Sequence, residues 1–488
     1  MFKQKIELIK PIIYEKGNPE ETGDFFGVDN RLYRSLNRIF ETFWIYAKKE
    51  LYLVGGCVRD MLLGKTPKDY DLCTNATPDE VKQIIKAIGL KSFDSGIKHG
   101  TLTIIDEFYK QNYEITTYRI DGKYTDGRHP DKVTFSPSLE EDLKRRDFTI
   151  NSFAYNLLNK ELLMLDESYI NDLNYGIIRT VGNAEDRFNE DALRMLRALR
   201  FMAQLNFTIS KDTYEAIKKL SSNISKISKE RIRDELTKIV LSDNPQVLEL
   251  VITSGLEDYL FDGITPFKDI LNCDHQNPWH YTDVFHHTMD VVKRVPKTVE
   301  LRWAAAFHDL GKPVVKKPRP QGPEGHFVYY GHPEESEKIS LKIMEILKFS
   351  NEQIEKISKF VKYHDVELVE CKNSAFKQIL VDIGKDNFLE FMKLKIADAM
   401  AHELSKDTKY AIDYPDKIYK RFNKVITEEQ ALKITDLAIN GYDLIEKGLK
   451  GKQIGECLNY LLNIVLEEPG INYKEALLRL VDVFLGKE

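Results

Sequence analysis

The stretch that decides the fold is LVGGCVRDMLLGKTPKDYDL, from Leu53 to Leu72. Two glycines follow a short apolar run, and the stretch ends with Asp69 and Asp71, which are separated by one residue. On an extended segment, side chains two positions apart lie on the same face. The two carboxylates are therefore predicted to bind one cation together.

The two glycines, Gly55 and Gly56, lie between a predicted strand and the predicted helix VRDMLLG. Glycine lets the backbone approach a ligand closely, and the first N–H groups of a helix can bind phosphate oxygens. Arg59 would add a charge-assisted contact. The acidic pair would hold Mg²⁺, which prefers carboxylates together with substrate phosphates. Alone, a glycine pair is more often a loop and Asp-x-Asp more often solvated surface, but their joint order predicts a triphosphate site.

Composition limits the class of protein. At 488 residues the chain should form about three or four domains. A net charge of -6 means that any nucleic-acid surface must be a local patch. No apolar run approaches a membrane span, and the N-terminus lacks the pattern of a signal peptide. The absence of a C-x-x-C pair argues against cysteine zinc or redox sites and, with the rest, predicts a cytoplasmic protein without a membrane segment.

A second segment, EDALRMLRALRF, predicts a site that selects a base. Asp191, Arg194, Arg197 and Arg200 recur every three positions, beside a stripe of leucines on what is predicted to be one helix. Cytosine and adenine each present an amine next to a ring acceptor, which a carboxylate beside a guanidinium complements. Guanine and uracil present the opposite order, a mismatch of about 1 to 3 kcal/mol. The alternative is a row of ion pairs on a solvated helix face.

These segments, together with KRRDFTINSFAYN (Lys144 to Asn156), resemble the class II nucleotidyltransferase family of tRNA CCA-adding enzymes and bacterial poly(A) polymerases. The resemblance implies metal binding by Asp69 and Asp71, with Glu114 as a possible third carboxylate. It also implies that the remaining marked residues contact the nucleotide: Gly55, Gly56, Arg59, Arg146, Asp147, Asn151, Asp191, Arg194, Arg197 and Arg200. The alternative for Asp147 is a helix start stabilised by the helix dipole.

A second constellation resembles the HD phosphohydrolase pattern. Imidazoles mixed with carboxylates suit a divalent transition metal, although Mg²⁺ remains an alternative. Either His286 or His287 could be the first ligand, and His287 is favoured; Lys312 could contact a phosphate. In some relatives such a domain has lost ligands and serves as a scaffold. The predicted ligands are His287, His308, Asp309, His332, His364 and Asp398.

The predicted fold class is α+β, with a small mixed α/β head of the polymerase-beta-like type followed by mainly helical domains. The predicted domains are an N-terminal extension (1–30), the nucleotidyltransferase head (31–150), a helical neck with the nucleotide-selecting helix (151–240), a helical body (241–274), an HD domain (275–405) and a helical tail (406–488).

The predicted function is addition of the 3′-terminal CCA to tRNA from CTP and ATP by a two-metal mechanism without a nucleic-acid template, with the acceptor arm and elbow of the tRNA as partner. The HD resemblance adds hydrolysis of phosphate esters as a second activity that the HD domain could have. The loop from Asp121 to Lys132 looks complete, which in the resembled family implies competence to add the terminal A. The alternatives are a tRNA nucleotidyltransferase that adds only A, a poly(A) polymerase, an HD phosphohydrolase with a relic head, and a non-catalytic RNA-binding protein. The sequence predicts no oligomeric state.

Overall fold

A computed structural model describes residues 1–5, 30–97, 100–121, 133–274, 282–320, 326–401, 408–427 and 433–486. The chain forms two compact units, Met1–Glu235 with Thr253–Leu260, and Leu236–Ile252 with Phe261–Glu488. Apart from Asp121, the loop predicted to support addition of A lies outside the described residues. No helix in the described parts of the chain is both long and apolar enough to cross a lipid bilayer.

The first unit is built on one mixed sheet, whose strands lie in the order β1-β10-β9-β2-β3-β6-β5-β4. Neighbouring strands are antiparallel except β3 and β6, which are parallel. The strands of this unit are β1 Phe2–Lys5, β2 Leu51–Val54, β3 Asp71–Thr74, β4 Lys91–Gly96, β5 Thr101–Asp106, β6 Gln111–Thr117, β7 Arg119–Asp121, β8 Val133–Phe135, β9 Phe153–Asn156, β10 Glu161–Met164, β11 Ile177–Ile178 and β12 Thr208–Ile209.

The centre of the sheet forms because β2 is apolar throughout and fully buried. It pairs with β9 on one side and with β3 on the other. The parallel pairing of β3 with β6 places Asp71 directly opposite Glu114. The apolar run before the two glycines, predicted as a strand, is confirmed as β2.

The sheet extends beyond the boundaries predicted for the head. The boundary at residue 150 falls inside the sheet, because β9 hydrogen-bonds to β2 and β10 extends the same sheet. The predicted N-terminal extension also contributes, since Phe2–Lys5 pairs along β10 as an exposed edge strand. Backbone pairing between distant segments decides this boundary, and local composition carries no sign of it.

Helices cover the sheet and continue the first unit. The longest that lies wholly within this unit, α7, buries most of its residues, Arg194 and Arg200 among them, while Arg197 is partly exposed. The helices from the N-terminus through the start of the second unit are α1 Asn30–Glu41, α2 Gly56–Leu62, α3 Pro78–Ala87, α4 Leu139–Lys144, α5 Ser168–Asn174, α6 Ala184–Glu190, α7 Leu193–Leu205, α8 Lys211–Leu220, α9 Lys229–Val240, α10 Leu248–Thr253 and α11 Glu257–Leu260.

The second unit is mainly helical, which confirms the predicted α+β class with a helical C-terminal part. One of its cores surrounds Trp303, which packs against Phe307 and Phe349. The remaining elements are α12 Pro266–Leu271, α13 Val284–Arg294, α14 Val299–Phe307, α15 Lys312–Val315, β13 Lys317–Pro318, β14 Phe327–Val328, α16 His332–Ile346, α17 Asn351–Tyr363, α18 Asn373–Ile383, α19 Lys385–Ala401, α20 Thr408–Thr427, α21 Gly441–Glu446, α22 Lys452–Glu467 and α23 Lys474–Phe484.

Candidate nucleotide and metal sites

Three carboxylates meet at the start of β3. Asp71 is the first residue of the strand, Glu114 is its partner on β6, and Asp69 lies two residues earlier. The pKa of Asp71 is raised by desolvation and then by Glu114, with Asp69 adding to the effect and Arg146 opposing it. Mutual repulsion of this kind is relieved by a cation, and an all-oxygen set suits Mg²⁺. The residues therefore fit a divalent metal. Their carboxylate oxygens do not all lie within 4.8 Å of one another, whereas the ligand atoms in each of the two metal-binding groups of the second unit do.

The glycine turn lies against two guanidinium groups. Gly55 has φ 74°, which L residues with side chains rarely adopt, and a Cβ there would lie 3.0 Å from the NH1 atom of Arg146. A Cβ on Gly56 would lie 3.6 Å from the NH2 atom of Arg59, an ordinary contact distance. The turn therefore places bare backbone beside two positive side chains, as an anion site requires.

Four of the predicted nucleotide-site residues form one hydrogen-bond network. Arg59 donates from NH1 to Asn151 Oδ1 at 2.8 Å, and Asn151 Nδ2 donates to Asp147 Oδ1 at 3.2 Å. Arg197 donates twice to Asp147 Oδ2, at 2.9 Å and 2.6 Å. Burial opposes ionisation of Asp147, but Arg197 outweighs it and lowers the pKa of Asp147 to about 2. The network holds Arg59 and Arg197 in place through Asp147, whose carboxylate stays charged at neutral pH.

Arg146 is held beneath the glycine turn by the fully buried Asp142, whose Oδ2 lies 3.1 Å from its NH2 atom. Its Nε atom is buried and has no hydrogen-bond partner among the described residues. The pKa of Asp142 is lowered because Arg145 and Arg146 together outweigh the effect of burial. Arg146 therefore stays charged, and its charge acts to lower the pKa of Asp71.

The predicted base-selecting residues, Asp191 and Arg194, do not lie on one helical stripe as expected. Asp191 is not on the helix: it is an extended residue after α6, with φ −141° and ψ 104°, and α7 begins at Leu193. Asp191 accepts a hydrogen bond from the Leu193 N–H, and the Arg194 N–H bonds to the Asp191 carbonyl. The helical path is therefore interrupted at Asp191, which ends α6 in an extended conformation while its carboxylate accepts from the first N–H of α7.

Neither side chain of this pair contacts the other directly. Asp191 Oδ2 accepts a hydrogen bond from Arg231 NH2 at 2.9 Å, whereas Arg194 bonds to Glu190 Oε2 at 2.6 Å. Arg200 pairs with the buried Glu235. Sequence reasoning missed Arg231, Glu190 and Glu235. The spacing of four between Arg231 and Glu235 in ERIRDEL could have pointed to one helix face contacting two predicted site residues.

In the second unit, the four predicted HD histidines converge on Asp309. Its Oδ2 lies 3.2 Å from His308 Nε2 and 3.6 Å from His287 Nε2. Its Oδ1 lies 3.4 Å from His332 Nε2 and 3.7 Å from His364 Nε2. Ligand atoms lie within 4.8 Å of one another in two sets, His287 with His308 and Asp398, and Asp309 with His332 and His364. The arrangement resembles two adjacent ligand sets that share one carboxylate.

The imidazoles are oriented as metal ligands are. His332 Nδ1 contacts the Tyr329 carbonyl at 2.9 Å, and His364 Nδ1 contacts the Val361 carbonyl at 2.7 Å. Those contacts place the proton on Nδ1 and turn the Nε2 lone pairs inward, where the two Nε2 atoms lie 3.0 Å apart. Two facing lone pairs repel each other unless a cation lies near them. The donor set therefore fits a transition metal.

The protonation states of two imidazoles, His287 and His332, agree with this orientation. For His308, burial lowers the pKa, but the nearby carboxylates, Asp309 above all, outweigh burial and raise it. Burial lowers the pKa of His287 to about 4, and burial together with His364 lowers the pKa of His332 to about 4. Both rings are therefore neutral at pH 7, the form that binds metal ions. His287 is buried, whereas the neighbouring His286 is exposed and contacts Asp283 at 2.8 Å. His287 is thus the residue of this pair that faces the cluster.

Family models match most of this chain. The "Poly A polymerase head domain" model matches residues 51–179, and the model described as "Probable RNA and SrmB-binding site of polymerase A" matches residues 206–268. A model for tRNA nucleotidyltransferase domain 2 matches residues 332–481. The first match includes every head residue predicted to contact metal or the triphosphate.

Relatives with established names extend the match to nearly the whole chain. A CCA-adding enzyme of Leuconostoc mesenteroides is 49% identical over 212 residues, which are 43% of this chain and 51% of the relative. A crystal structure of the Bacillus stearothermophilus CCA-adding enzyme in complex with CTP has a TM-score of 0.67 and 26% identity, covering 92% of this chain and 95% of its own. A CCA-adding enzyme of Lactobacillus delbrueckii subsp. bulgaricus is 35% identical over 430 residues, 88% of this chain and 92% of the relative. The chain therefore belongs to the family of CCA-adding enzymes, which are nucleotidyltransferases.

Proposed function

We propose that this protein adds cytidine, cytidine and adenosine in turn to the 3′ end of tRNA. CTP and ATP are the substrates, pyrophosphate is released, and no nucleic-acid template is used. The observation that carries the proposal is the 35% identity over 88% of the chain to a CCA-adding enzyme. The parallel pairing of Asp71 with Glu114 beside the Gly55–Gly56 turn supports the same reaction at one place in the first unit.

The reaction forms a bond between the tRNA 3′ oxygen and the α-phosphorus and breaks the bond from that phosphorus to pyrophosphate, while the hydroxyl loses its proton. Mg²⁺ held by Asp69, Asp71 and Glu114 would promote loss of that proton and neutralise the departing charge. Gly55 and Gly56 allow the triphosphate to approach the backbone. Arg59 and Arg146 supply positive charge beside that turn.

Base selection is assigned to Asp191 and Arg194. The Asp191 carboxylate would accept a hydrogen bond from the cytosine or adenine amine, and the Arg194 guanidinium would donate to the adjacent ring nitrogen. A carbonyl in place of the amine would face the carboxylate, so UTP and GTP would be rejected. The network of Asp147, Asn151 and Arg197 would hold the nucleotide beside this pair.

The helical parts would bind the rest of the tRNA. We assign the HD domain to 275–405 and the tRNA-binding tail to 406–488, with recognition of the acceptor arm and elbow through shape and phosphates. In the tail, Leu444, Leu461 and Leu477 belong to one buried cluster, while Tyr442 remains 81% exposed. The reduced cysteines fit a cytoplasmic enzyme.

The experiment uses tRNA transcripts that end before CCA, after C and after CC, each incubated with the protein and Mg²⁺. Each nucleoside triphosphate is supplied singly, and CTP and ATP are also supplied together. Growth of the bare end to CCA supports the proposal. Extension of the CC end alone would mean an enzyme that adds only A, and long A tails would mean a poly(A) polymerase.

A second activity, hydrolysis of a phosphate ester, is proposed for the HD cluster. The observation that favours it is the convergence of four imidazoles on the two oxygens of Asp309, with Lys312 Nζ 2.6 Å from Oδ2. A bound transition metal would supply the activated water, and Lys312 would contact the phosphate. Hydrolysis of a model phosphodiester should depend on added metal, persist in Asp71→Ala and disappear in His308→Ala. Loss in Asp71→Ala alone would contradict the assignment.

A further inference from the structure

Three arginines from two helices surround the ring of Phe201. The guanidinium carbon of Arg200 lies 4.1 Å from the ring centroid, that of Arg59 lies 5.2 Å away, and that of Arg197 lies 5.5 Å away. Phe201 is on α7 and is 6% exposed. Its ring also meets Phe148 edge to face, with centroids 5.8 Å apart.

Such an arrangement requires compensation, since three like charges repel one another. Each arginine has polar partners of its own: Asp60 and Asn151 for Arg59, Asp147 for Arg197 and Glu235 for Arg200. Even so, burial and then Arg197 lower the pKa of Arg200 to about 10. An aromatic face carries negative charge density that attracts guanidinium groups, which an aliphatic side chain does not offer.

We propose that Phe201 is a positioning residue whose ring holds Arg59, Arg197 and Arg200 together as a clamp for the triphosphate of the incoming nucleotide. The inference rests on the proposed nucleotidyl transfer at the same site. It means that the apolar side chain of Phe201 contributes to the affinity for the nucleotide. The ligand class follows from the charges, because guanidinium forks match polyphosphate oxygens. Arg59 also lies beside the backbone of Gly56, where the triphosphate is proposed to approach the turn. The three arginines would therefore lie near the phosphates.

The side chain of Arg197 is 32% exposed, whereas those of Arg59 and Arg200 are 10% and 9% exposed. One arginine is thus open to a ligand while two are confined against the ring. Removing the ring would let the confined pair separate, since their partners lie on different elements: Asn151 is in the short 3₁₀ helix Thr149–Asn151, and Glu235 is on helix α9. The loss should therefore appear as weaker polyphosphate binding.

The test measures binding of inorganic tripolyphosphate by calorimetry and the KM for CTP and ATP in four variants of the full chain. Phe201→Leu removes the aromatic face, whereas Phe201→Tyr keeps an aromatic ring at that position. Phe148→Leu is the matched control, because Phe148 is a fully buried neighbour in the same aromatic contact. The fourth variant replaces Phe201 with trifluorophenylalanine, which keeps the ring and weakens its negative face. The fold of each is checked by circular dichroism.

We expect Phe201→Leu and the trifluorinated variant to weaken tripolyphosphate binding and raise the KM about tenfold, with kcat changed less. Phe201→Tyr and Phe148→Leu should stay near the unsubstituted protein. If Phe201→Leu does not fold, the fluorinated variant decides the question, because its volume is nearly unchanged. Unchanged binding in the fluorinated variant overturns the inference. Failure of the unsubstituted protein to bind CTP, ATP or tripolyphosphate would instead overturn the proposed function.

Discussion

Arg231 donates a hydrogen bond to Asp191, with NH2 2.9 Å from Oδ2. The other carboxylate oxygen accepts from the Leu193 N–H at 3.0 Å. Both oxygens of the proposed base-selecting carboxylate are therefore fixed before any nucleotide binds. A carboxylate fixed in this way can keep its acceptors directed at a base amine without reorganising.

Replacing Arg231 with methionine should reduce the preference for CTP over UTP about tenfold, because a charge-assisted hydrogen bond would be lost and Asp191 could rotate. Arg231→Lys should retain part of the preference. The measurement compares kcat/KM for the two nucleotides on a tRNA transcript that lacks CCA. An equal loss for both nucleotides would show that Arg231 supports the fold and not selection.

The two glycines of the turn should respond differently to alanine. Gly55 has a positive φ, and a Cβ there would lie in tight contact with Arg146, 3.0 Å from its NH1 atom, so Gly55→Ala should lower the free energy of unfolding by about 1 to 3 kcal/mol and impair nucleotide incorporation. Gly56 begins α2 and would make only an ordinary contact, so Gly56→Ala should change that free energy by at most about 1 kcal/mol. Thermal unfolding of the two variants checks the contrast. Equal destabilisation would contradict the geometry of the turn.

Asp147 should give the protein a measurable dependence of stability on acid pH. The pKa of Asp147 in the folded protein, about 2, lies below the ordinary value of 3.8. Its contribution to the free energy of unfolding is therefore complete above pH 3.8 and is lost as the pH falls through 2. The difference in unfolding free energy between the unsubstituted protein and Asp147→Asn should therefore shrink by about 2 kcal/mol between pH 5 and pH 2. Urea unfolding across this range measures it.

Asp79→Asn is the control for that series, since Asp79 is an exposed acid on α3 and the substitution removes the same charge. A constant difference for Asp147→Asn across the range would mean that the carboxylate is not held by Arg197 in solution.

The HD cluster should bind about two metal ions per chain, because Asp309 offers one oxygen to each ligand set. The proposed metal site of the head is first removed by the double substitution Asp69→Ala and Asp71→Ala. The resulting protein is loaded with Mn²⁺, desalted and analysed by elemental mass spectrometry. His364→Ala in this background should lower the content to about one ion, and Asp309→Ala should lower it further. Metal content unaffected by either change would contradict the shared-carboxylate arrangement.

Much of the first unit follows from local sequence pattern. The apolar run of β2, the glycines that follow it and the acidic pair before β3 indicate a strand, a turn and a metal site, and the structure places Asp71 opposite Glu114. In the second unit, the preference for His287 over His286 agrees with the burial of His287. These features depend on neighbours in sequence or on simple periodicity.

The remainder depends on contacts between distant segments. Arg231 lies 40 residues from Asp191, and Asn151 lies 92 residues from Arg59, so no local pattern connects them. The break between α6 and α7 was likewise hidden, because Asp191 fits a helical repeat by spacing but forms a cap by its backbone. The edge strand Phe2–Lys5 is found only through its pairing with β10.

The most direct test of the account is nucleotide incorporation into a tRNA transcript that ends before CCA, with CTP, ATP and Mg²⁺, by the unsubstituted protein and by Asp71→Ala. The account predicts completion of CCA by the unsubstituted protein and a loss of about 1000-fold or more in the variant, since several kcal/mol of metal stabilisation would be removed. Binding of the transcript should be retained. Incorporation that survives in Asp71→Ala, or no CCA synthesis by the unsubstituted protein, would contradict the account.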